Sequence, residues 1–358
     1  MRLGDVCSIR YGKDHKKLGD GSIPAYGTGG VMRYVDKALW DKPSVLIPRK
    51  GTLGNLFFTN QPFWTVDTLF WTDIDQSKVL PRFLYYALKT KNLAELNVGT
   101  AVPSLTTDVL NEVEVDIPDL DLQESVVAIL QAFDSAITLN RQTNDYLTDL
   151  LDALFDEVIA EESCDWEAAS LLDIAHYKNG LAMQRFRPAS DDQGLPVLKI
   201  RELGQGYCGS DAERCRSDID ESVAIHDGDL IFSWSGTLLL DFWAGGDAGL
   251  NQHLFKVTSD AYPSWLYFMW TKQHMRRFIA LAKDRATTMG HIKRSALQES
   301  EVLIPPASMM PELTARMQPI VDEMIGLKVQ SRKLGELRDA LLPKLMSGEI
   351  DVSSINLP

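Results

Sequence analysis

One pattern occurs twice in this chain, and the repeat limits what the chain can fold into. The stretch "LLDALFDEVI" at 150–159 returns 187 positions later as "LRDALLPKLM" at 337–346. At the same offset, "VEVDIP" at 113–118 returns as "SEVLIP" at 300–305. Because the offset is about half of the 358 residues, the sequence predicts two equivalent halves, each the size of a domain.

The most regular part of each half is a long helical segment whose seam positions advance by four and three residues, the a/d spacing of a coiled coil. In the first half these positions are Val126, Leu130, Phe133, Ile137, Asn140, Asn144, Leu147, Leu151, Leu154 and Val158. In the second half they are Leu313, Met317, Ile320, Met324, Leu327, Ser331, Leu334, Arg338, Leu341 and Leu345. Two unrelated surface helices are the alternative.

A helix of this length is on the order of 50 Å long, and its narrow apolar seam suits a partner helix better than a globular core. Equivalent halves bury the same seam most simply about a pseudo-twofold axis, which makes the helices antiparallel. We therefore expect an antiparallel coiled coil with the globular parts at opposite ends. Asn140 and Asn144, polar at seam positions, are expected to fix the register of the helices.

The globular parts are predicted to mix strands and short helices. "SVLIPRKGTLGNLFF" at 44–58 and "GDLIFSWSGTLLLDFW" at 228–243 each indicate a strand, a glycine-containing turn and a second strand. The prediction is an α+β fold made of consecutive segments. They are a first domain at 1–118, a helix at 119–160, a second domain at 161–305, a helix at 306–349 and a tail at 350–358.

Charge is distributed unevenly along the chain. The net charge of −14 comes mainly from residues 99–168, which hold one basic and 17 acidic side chains, whereas residues 1–98 are basic by five. Residues 272–294 contain seven Lys and Arg and one acid. We expect phosphate contacts from these basic segments. The acidic helix is expected to avoid phosphates and to contact protein.

Several site classes find no support in the sequence. Cys7, Cys164, Cys208 and Cys215 lack the spacing of a zinc site or a disulfide framework, so structural roles are expected. The start of the chain is no signal peptide, and the apolar runs are too short to span a bilayer, which predicts a cytoplasmic protein.

Motifs for catalysis are also missing. The amino-methyltransferase loop N/D-P-P-Y/F and the phosphate-binding loop G-x-x-x-x-G-K-[ST] are absent. "DHK" at 14–16 matches only one element of a nuclease motif. The chain is therefore expected to have no catalytic activity, no bound cofactor and no metal of its own.

Three segments resemble the conserved regions of the specificity subunit of Type I restriction-modification enzymes. They are "GTAVPSLTTDVLNEVEVDIPDLDLQESVVAIL" at 99–130, "GHIKRSAL" at 290–297 and "LLPKLMSGEI" at 341–350. "IPAYGTGGVMRYVD" at 23–36 and "GDLIFSWSG" at 228–236 resemble sequence inside that family's target recognition domains. The resemblance extends over essentially the whole chain.

The resemblance implies a subunit that reads double-stranded DNA through two target recognition domains, held apart by two conserved antiparallel helices. Each domain would read one half of an asymmetric, bipartite sequence. The helices would bind two modification subunits, which methylate adenine with S-adenosylmethionine, and restriction subunits would join that core. S-adenosylmethionine, ATP and magnesium are thus expected on the partner subunits, and no membrane is implied.

Candidate DNA-contacting residues follow from the loops and the basic segments, because Lys and Arg anchor phosphates whereas side chains on loops reach base edges. The predicted phosphate contacts are Arg10, Lys13, Lys16, Lys17, Arg276, Arg277, His291, Lys293 and Arg294. The predicted groove contacts are Arg49, Lys50, Thr52, Asn55, Ser233, Trp234, Ser235 and Thr237.

Two further stretches each fit two different roles when judged from sequence. "YGTGG" at 26–30 suits either a close approach to DNA or an ordinary strand connection, and "NQH" at 251–253 suits either base edges or a structural role. A coiled-coil scaffold that binds only protein is the rival function. It would leave unexplained two basic globular domains with a common pattern and different loops.

Overall fold

The structure is a computed structural model that describes residues 1–99, 101–162, 165–190, 192–284 and 292–352. Its contacts divide the chain into two units. The first unit comprises Met1–Ser135 and the chain from Gly335 onward, and the second unit comprises Ala136–Leu334. The two long helices each contribute one segment to each unit, so the first unit consists of two separate stretches of sequence, whereas the second is one continuous stretch.

In the first unit the strands are β1 (Cys7–Tyr11), β2 (Asp20–Gly27), β3 (Gly30–Val35), β4 (Ser44–Pro48), β5 (Phe57–Thr59), β6 (Trp64–Thr65) and β7 (Leu69–Ile74). An antiparallel sheet has the order β1-β7-β4-β5, and a smaller sheet has the order β3-β2-β6 with β2 and β6 parallel. All five residues of β4 are buried, which explains its continuous apolar run. The helices are α1 (Pro81–Lys89) and α2 (Thr107–Asn111).

The long helix α3 (Leu120–Glu162) follows, and the second unit then repeats the arrangement. Its strands are β8 (Glu167–Ser170), β9 (His176–Asn179), β10 (Leu195–Leu198), β11 (Arg214–Cys215), β12 (Ala224–Ile225), β13 (Leu230–Ser233), β14 (Leu240–Phe242), β15 (Ala248–Leu250), β16 (Leu254–Thr258) and β17 (Glu301–Ile304). Its helices are α4 (Leu171–Ile174), α5 (Ile200–Gln205), α6 (Ser264–Asp284) and α7 (Arg294–Gln298), and α8 (Met310–Met346) is the second long helix.

The two units share one topology. The antiparallel sheet β9-β16-β13-β14 of the second unit corresponds strand by strand to β1-β7-β4-β5 of the first. The parallel pair β10 and β15 corresponds to β2 and β6, and the antiparallel neighbour β11 corresponds to β3. The bridge between Arg2 and Glu114 occupies the place of the pairing between β8 and β17. The internal repeat predicted from sequence is confirmed.

Within each unit, α3 and α8 pair in opposite directions. In the second unit the Asn140 Nδ2 donates to Gln330 Oε1 at 2.8 Å, whereas Asn144, later on α3, donates to the carbonyl of Met324, earlier on α8, at 3.2 Å. In the first unit Arg338 Nη1 donates to Asp134 Oδ1 at 2.6 Å. Val126 and Leu130 join the core cluster that contains Leu342 and Leu345. The predicted antiparallel pairing is confirmed in both units.

The asparagines at the seam explain the register. A buried amide that loses its partner costs about 1–3 kcal/mol, so a shift of one helix along the other would be penalised at Asn140 and at Asn144. Apolar seams alone would tolerate such a shift better, because Leu and Met side chains repack easily.

Each long helix also packs on its globular part. In the second unit Phe155 lies one position outside the heptad, yet it is fully buried with ring centroids 5.2 Å from Trp270 and 6.5 Å from Trp265. Val321 and Leu342 are likewise buried outside the heptad. The helices therefore present two apolar faces, one to each other and one to the sheet domain.

The described end of the chain returns to the first unit. Val352 is buried in the same cluster as Leu3 and Val6, beside the opening of the first domain. The start of the C-terminal tail therefore lies near the first strand, and Pro358 lies outside the described residues. Among the residues that the structure describes, no helix is both long and apolar enough to cross a membrane.

The seam can be tested with a matched pair of leucines on α3. Leu130 is fully buried and Leu139 is 62% exposed. Leu130→Ala should lower the free energy of unfolding of its unit by about 2–5 kcal/mol, because it removes transfer energy and leaves a cavity. Leu139→Ala should change it by less than about 0.5 kcal/mol. Urea unfolding followed by circular dichroism measures both free energies. If the first unit of Leu130→Ala unfolds at the same urea concentration as in the wild-type chain, the packing of Leu130 in the seam does not stabilise the unit.

Candidate nucleic-acid interface

Three connections of the first unit meet on one surface. The loop after β1 is held by Lys13, whose N–H donates to the carbonyl of Thr65 at 2.8 Å and whose carbonyl accepts from Trp64 Nε1 at 2.9 Å. The connection between β4 and β5 reaches the turn between β2 and β3 through Asn55, which donates from Nδ2 to the carbonyl of Thr28 at 3.1 Å. Lys13, Lys16, Lys17, Thr52 and Asn55 are all exposed there.

A groove of about 610 Å³ lies between these connections, lined among others by Lys16, Thr28, Gly29 and Asp67. Arg49 borders it, because its Nη1 donates to the carbonyl of Asp67 at 3.0 Å. The structure thus brings together the predicted lysine loop, the "YGTGG" turn and the loop that begins at Arg49.

Glycines make the close approach possible. A Cβ added at Gly12 would lie 2.0 Å from the carbonyl oxygen of Val66, which no side chain allows, so the lysine loop depends on glycine at this position. Gly30 has φ +110°, which closes the β2–β3 turn. Gly180 in the second unit makes the same close approach as Gly12, because a Cβ added at Gly180 would lie 2.3 Å from the carbonyl oxygen of Asn251.

Arg49 is a bracing residue as well as a charged one. Its guanidinium stacks over the ring of Tyr11 at 5.3 Å, and its carbonyl accepts from the N–H of Leu105 at 2.9 Å. The next residues of the loop are braced from the same segment, since Gly51 donates to the carbonyl of Pro103 at 2.9 Å and Lys50 bridges to Ser104. The stretch "PSL" at 103–105 therefore supports the loop, a role that sequence reasoning missed.

The corresponding turn of the second unit requires a correction. Ser233 is fully buried, and its Oγ donates to the carbonyls of Ser235 at 3.1 Å and Thr237 at 2.8 Å. Ser235 is also buried, and its Oγ lies 3.0 Å from His253 Nδ1. Both serines close the turn and have no exposed hydroxyl for a base edge. Thr237 is exposed as predicted.

Trp234 and the "NQH" stretch form one layer beneath this turn. The Trp234 ring is half-buried and packs against His253 and Phe255 with centroids 6.0 and 5.8 Å apart. The carbonyl of Trp234 accepts from the N–H of Ile292 at 2.9 Å, which ties the turn to the segment before α7. The contacts of Trp234 and His253 are therefore those of structural residues under the turn.

The basic segment of α6 and α7 divides into exposed and internally bound groups. Arg276 and Lys293 are exposed, and Arg294 is exposed although its Nη1 also donates to the carbonyl of Tyr177 at 3.5 Å. Arg277 instead donates to the carbonyl of Glu299 at 3.1 Å and to Ser300 Oγ at 3.2 Å, so it braces α6 against the end of α7. The predicted phosphate contact at His291 lies outside the described residues.

A charged groove in the second unit was missed by the sequence analysis. It measures about 940 Å³ and is lined by Arg187, Pro188, Lys199, Arg201, Glu202, Asp211, Glu213 and Arg214. Lys199 Nζ donates to Glu213 Oε2 at 2.7 Å, and Arg201 bonds both Glu202 and Asp211. The hydrogen bond from Arg201 lowers the pKa of Asp211 below its usual range. Two clusters of charged residues, at 199–202 and 211–216, were the signal available in the sequence.

The cysteines in the described part of the chain, Cys7, Cys208 and Cys215, are free thiols. Burial raises the pKa of the Cys7 thiol to about 12, and burial together with the charge of Glu202 raises the pKa of Cys208 to about 12. Such thiols are protonated at neutral pH and react slowly. Among the described residues, no group of His, Cys, Asp and Glu is arranged to hold a metal ion.

Comparison with known proteins agrees with these features. Residues 1–149 match the family model of the Type I restriction modification DNA specificity domain. The chain is 24% identical to the specificity subunit of the Type I restriction enzyme MjaIX of Methanocaldococcus jannaschii, over 88% of this chain and 80% of that protein. It is 21% identical to the HindI specificity subunit of Haemophilus influenzae, over 76% of this chain and 78% of that protein.

The fold also has a solved counterpart. The S subunit of a Type I restriction-modification system from M. genitalium aligns with a TM-score of 0.57 at 16% identity, over 96% of this chain and 95% of that one. At this identity the likeness concerns the fold, and it extends over both units and both long helices.

Proposed function

We propose that the chain is a specificity subunit of a type I restriction-modification system and that each of its units reads one half of an asymmetric, bipartite double-stranded DNA sequence. The observation that carries this proposal is that the two units share one topology but expose different side chains at equivalent places. At equivalent places both units expose a threonine, Thr52 and Thr237, but exposed Lys50 and Asn55 flank the first, whereas buried Ser235 precedes the second, which lies near a charged groove. One scaffold with two different surfaces suits two different half-sites.

Phosphate contacts and base contacts fall to different residues in this proposal. Exposed lysines on the loop after β1 neutralise phosphates, which supplies affinity without sequence information. Thr52 and Asn55 reach the groove and contact base edges, since hydroxyl and amide groups match the acceptors and donors of the base pairs. In the second unit, Arg276, Lys293 and Arg294 take the phosphate role.

The chain itself contributes recognition and no catalysis in this account. Two modification subunits methylate adenine with S-adenosylmethionine, and restriction subunits supply the ATP- and magnesium-dependent nuclease, all in the cytoplasm. The purified chain alone should neither methylate nor cut DNA.

A stripe of apolar side chains on α3 supports the docking of partner subunits. Leu139, Tyr146 and Leu150 are spaced by seven and four residues, which places them on one helical face, and they are 62%, 74% and 47% exposed. Large exposed aromatic and aliphatic residues on one face are typical of a protein interface. Asp145 and Asp149 beside the stripe are exposed and repel phosphates. Asp156 accepts from Gln273 at 2.9 Å and belongs to the fold instead.

One member of this stripe recurs on the second long helix. Leu337 on α8 is the counterpart of Leu150 at the offset of 187 and is 53% exposed, whereas Gly326 and Lys333 stand at the positions of Leu139 and Tyr146. A second modification subunit would therefore contact α8 around Leu337 through a different set of side chains.

DNA binding is tested with the complex of the chain and its modification subunits. Lys16→Ala with Lys17→Ala should weaken binding equally for all sequences and make the slope of log K against log[salt] less negative by about 2, because two phosphate contacts are lost. Lys89→Ala with Lys91→Ala is the matched control and should leave the slope unchanged. If the wild-type complex shows no sequence preference in a mobility shift, the protein-only scaffold is the better account.

Docking is tested by stoichiometry. Tyr146→Ser with Leu150→Ser should weaken binding of one modification subunit about tenfold or more, because truncating exposed anchors of an interface typically costs over 1 kcal/mol. Native mass spectrometry should then show a complex that has lost one of its two modification subunits. Tyr207→Ser removes a side chain that is 55% exposed elsewhere and should change nothing. Full assembly of the α3 variant would assign docking to another surface.

A further inference from the structure

The two units differ most at one connection. In the first unit β2 and β3 are joined by a tight turn in which Gly27 pairs with Gly30. In the second unit the equivalent strands β10 and β11 are joined by a longer connection from Lys199 to Glu213, which contains α5. In both units this connection touches the neighbouring strand connection. In the first unit Asn55, on the connection after β4, donates a hydrogen bond to Thr28 in the β2–β3 turn. In the second unit Gly236, on the connection after β13, lies close to Ile200 on the β10–β11 connection, since a Cβ added at Gly236 would be 3.5 Å from the Ile200 side chain.

Arg201, the residue after Ile200, is held in place by two carboxylates. Its Nε donates to Glu202 Oε1 at 2.8 Å, its Nη2 lies 2.8 Å from the same oxygen, and its Nη1 donates to Asp211 Oδ2 at 2.9 Å. The side chain nevertheless remains 58% exposed. A guanidinium carries five N–H groups, so one N–H on each terminal nitrogen remains for a further acceptor.

Glu202 explains why this arginine is fixed. The residue is 2% exposed, and its Oε2 is buried without a hydrogen-bond partner among the described residues. A buried carboxylate is costly unless a cation compensates it, and Arg201 is the cation that bonds it. The arrangement directs a rigid, planar donor pair toward the charged groove, and a rigid side chain loses less entropy when it binds.

We propose that Arg201 is a specificity-determining residue of the second unit, and that its two remaining N–H groups read the O6 and N7 acceptors of one guanine in the major groove. Glu202 and Asp211 are positioning residues that hold the guanidinium for this contact. The assignment rests on the proposed reading of DNA by each unit. A bidentate arginine is the side chain whose geometry best matches the guanine edge. Adenine presents a donor at the equivalent position and is rejected.

The experiment uses the complex of the full chain with its modification subunits and measures binding to duplexes in which each base pair of the target is replaced in turn. The wild-type complex should prefer guanine at one position of one half-site on the order of 10-fold to 100-fold. Arg201→Ala should abolish the preference at that position and leave the other positions and the second half-site unchanged.

Three further variants separate reading from charge and from folding. Arg201→Lys keeps the charge but loses the fork, so it should retain overall affinity within a few-fold and still lose the guanine preference. Asp211→Asn should reduce the preference partly. Arg216→Ala is the control, because Arg216 is an ion-paired surface arginine of similar exposure, bonded to Asp218 at 2.6 Å, and it should leave every preference intact.

The outcomes distinguish this inference from the proposed function. If Arg201→Lys and Arg201→Ala keep the wild-type preference at every position, the assignment of Arg201 is wrong and the reading of DNA by the second unit stands. If the wild-type complex itself shows no base preference, the proposed function fails. If Arg201→Ala lowers the melting temperature of the chain, the lysine variant decides between reading and structure.

Discussion

The structure depends on the packing of α3 and α8 against each other and against the sheets, because neither unit has a complete core without both helices. In the second unit Leu151 and Phe155 of α3 and Met317 and Val321 of α8 join one cluster with the sheet residue Phe232. In the first unit Leu130 and Leu342 join a cluster with Leu3 and Phe70. Burial of each apolar side chain contributes about 1.5–3 kcal/mol, so the helices are structural members of the domains as well as connections between them.

This division of roles leaves the strand connections free to vary. The positions of β4 and β13 are buried and mostly apolar in both units, whereas the connections that follow them share Gly-Thr-Leu (51–53 and 236–238) and differ on either side of it. Hydrogen bonds of the backbone, such as that from Gly51 to Pro103, fix the shape of a connection without fixing its exposed side chains. The exposed side chains of a connection can therefore differ between the units without a change in the core.

Much of the architecture could be predicted from the sequence. Heptad spacing and the offset of 187 depend on periodicity, which survives substitution, and they predicted the paired helices and the duplicated sheets. The buried faces outside the heptad were missed, because Phe155 and Val321 are buried by tertiary packing on the domain and not by the period. The first unit's lysine loop was predicted because exposed charge follows composition closely.

The candidate site was harder to predict, for reasons that differ between residues. A serine in a turn can close it or reach outward, and only the structure shows that Ser233 and Ser235 close it. Arg277 carries the same charge as Arg276, but it lies close enough to Glu299 and Ser300 to donate hydrogen bonds to both, and it therefore stabilises the fold. Arg201 was missed because its carboxylate partners include Asp211, which the sequence places ten positions away. The contacts of a polar side chain depend on tertiary neighbours that no local pattern contains.

The central claim is that each unit reads its own half of the target, and the most direct test is a map of methylated adenines in cells that carry the chain with its partner subunits. Replacing Lys50 and Thr52 with alanine alters only exposed side chains of the first unit's connection and keeps the hydrogen bond from Asn55 to Thr28. The account predicts that one half-site becomes less specific while the other half-site and the gap between them stay the same. A variant that assembles and methylates but changes both half-sites, or neither, would contradict it.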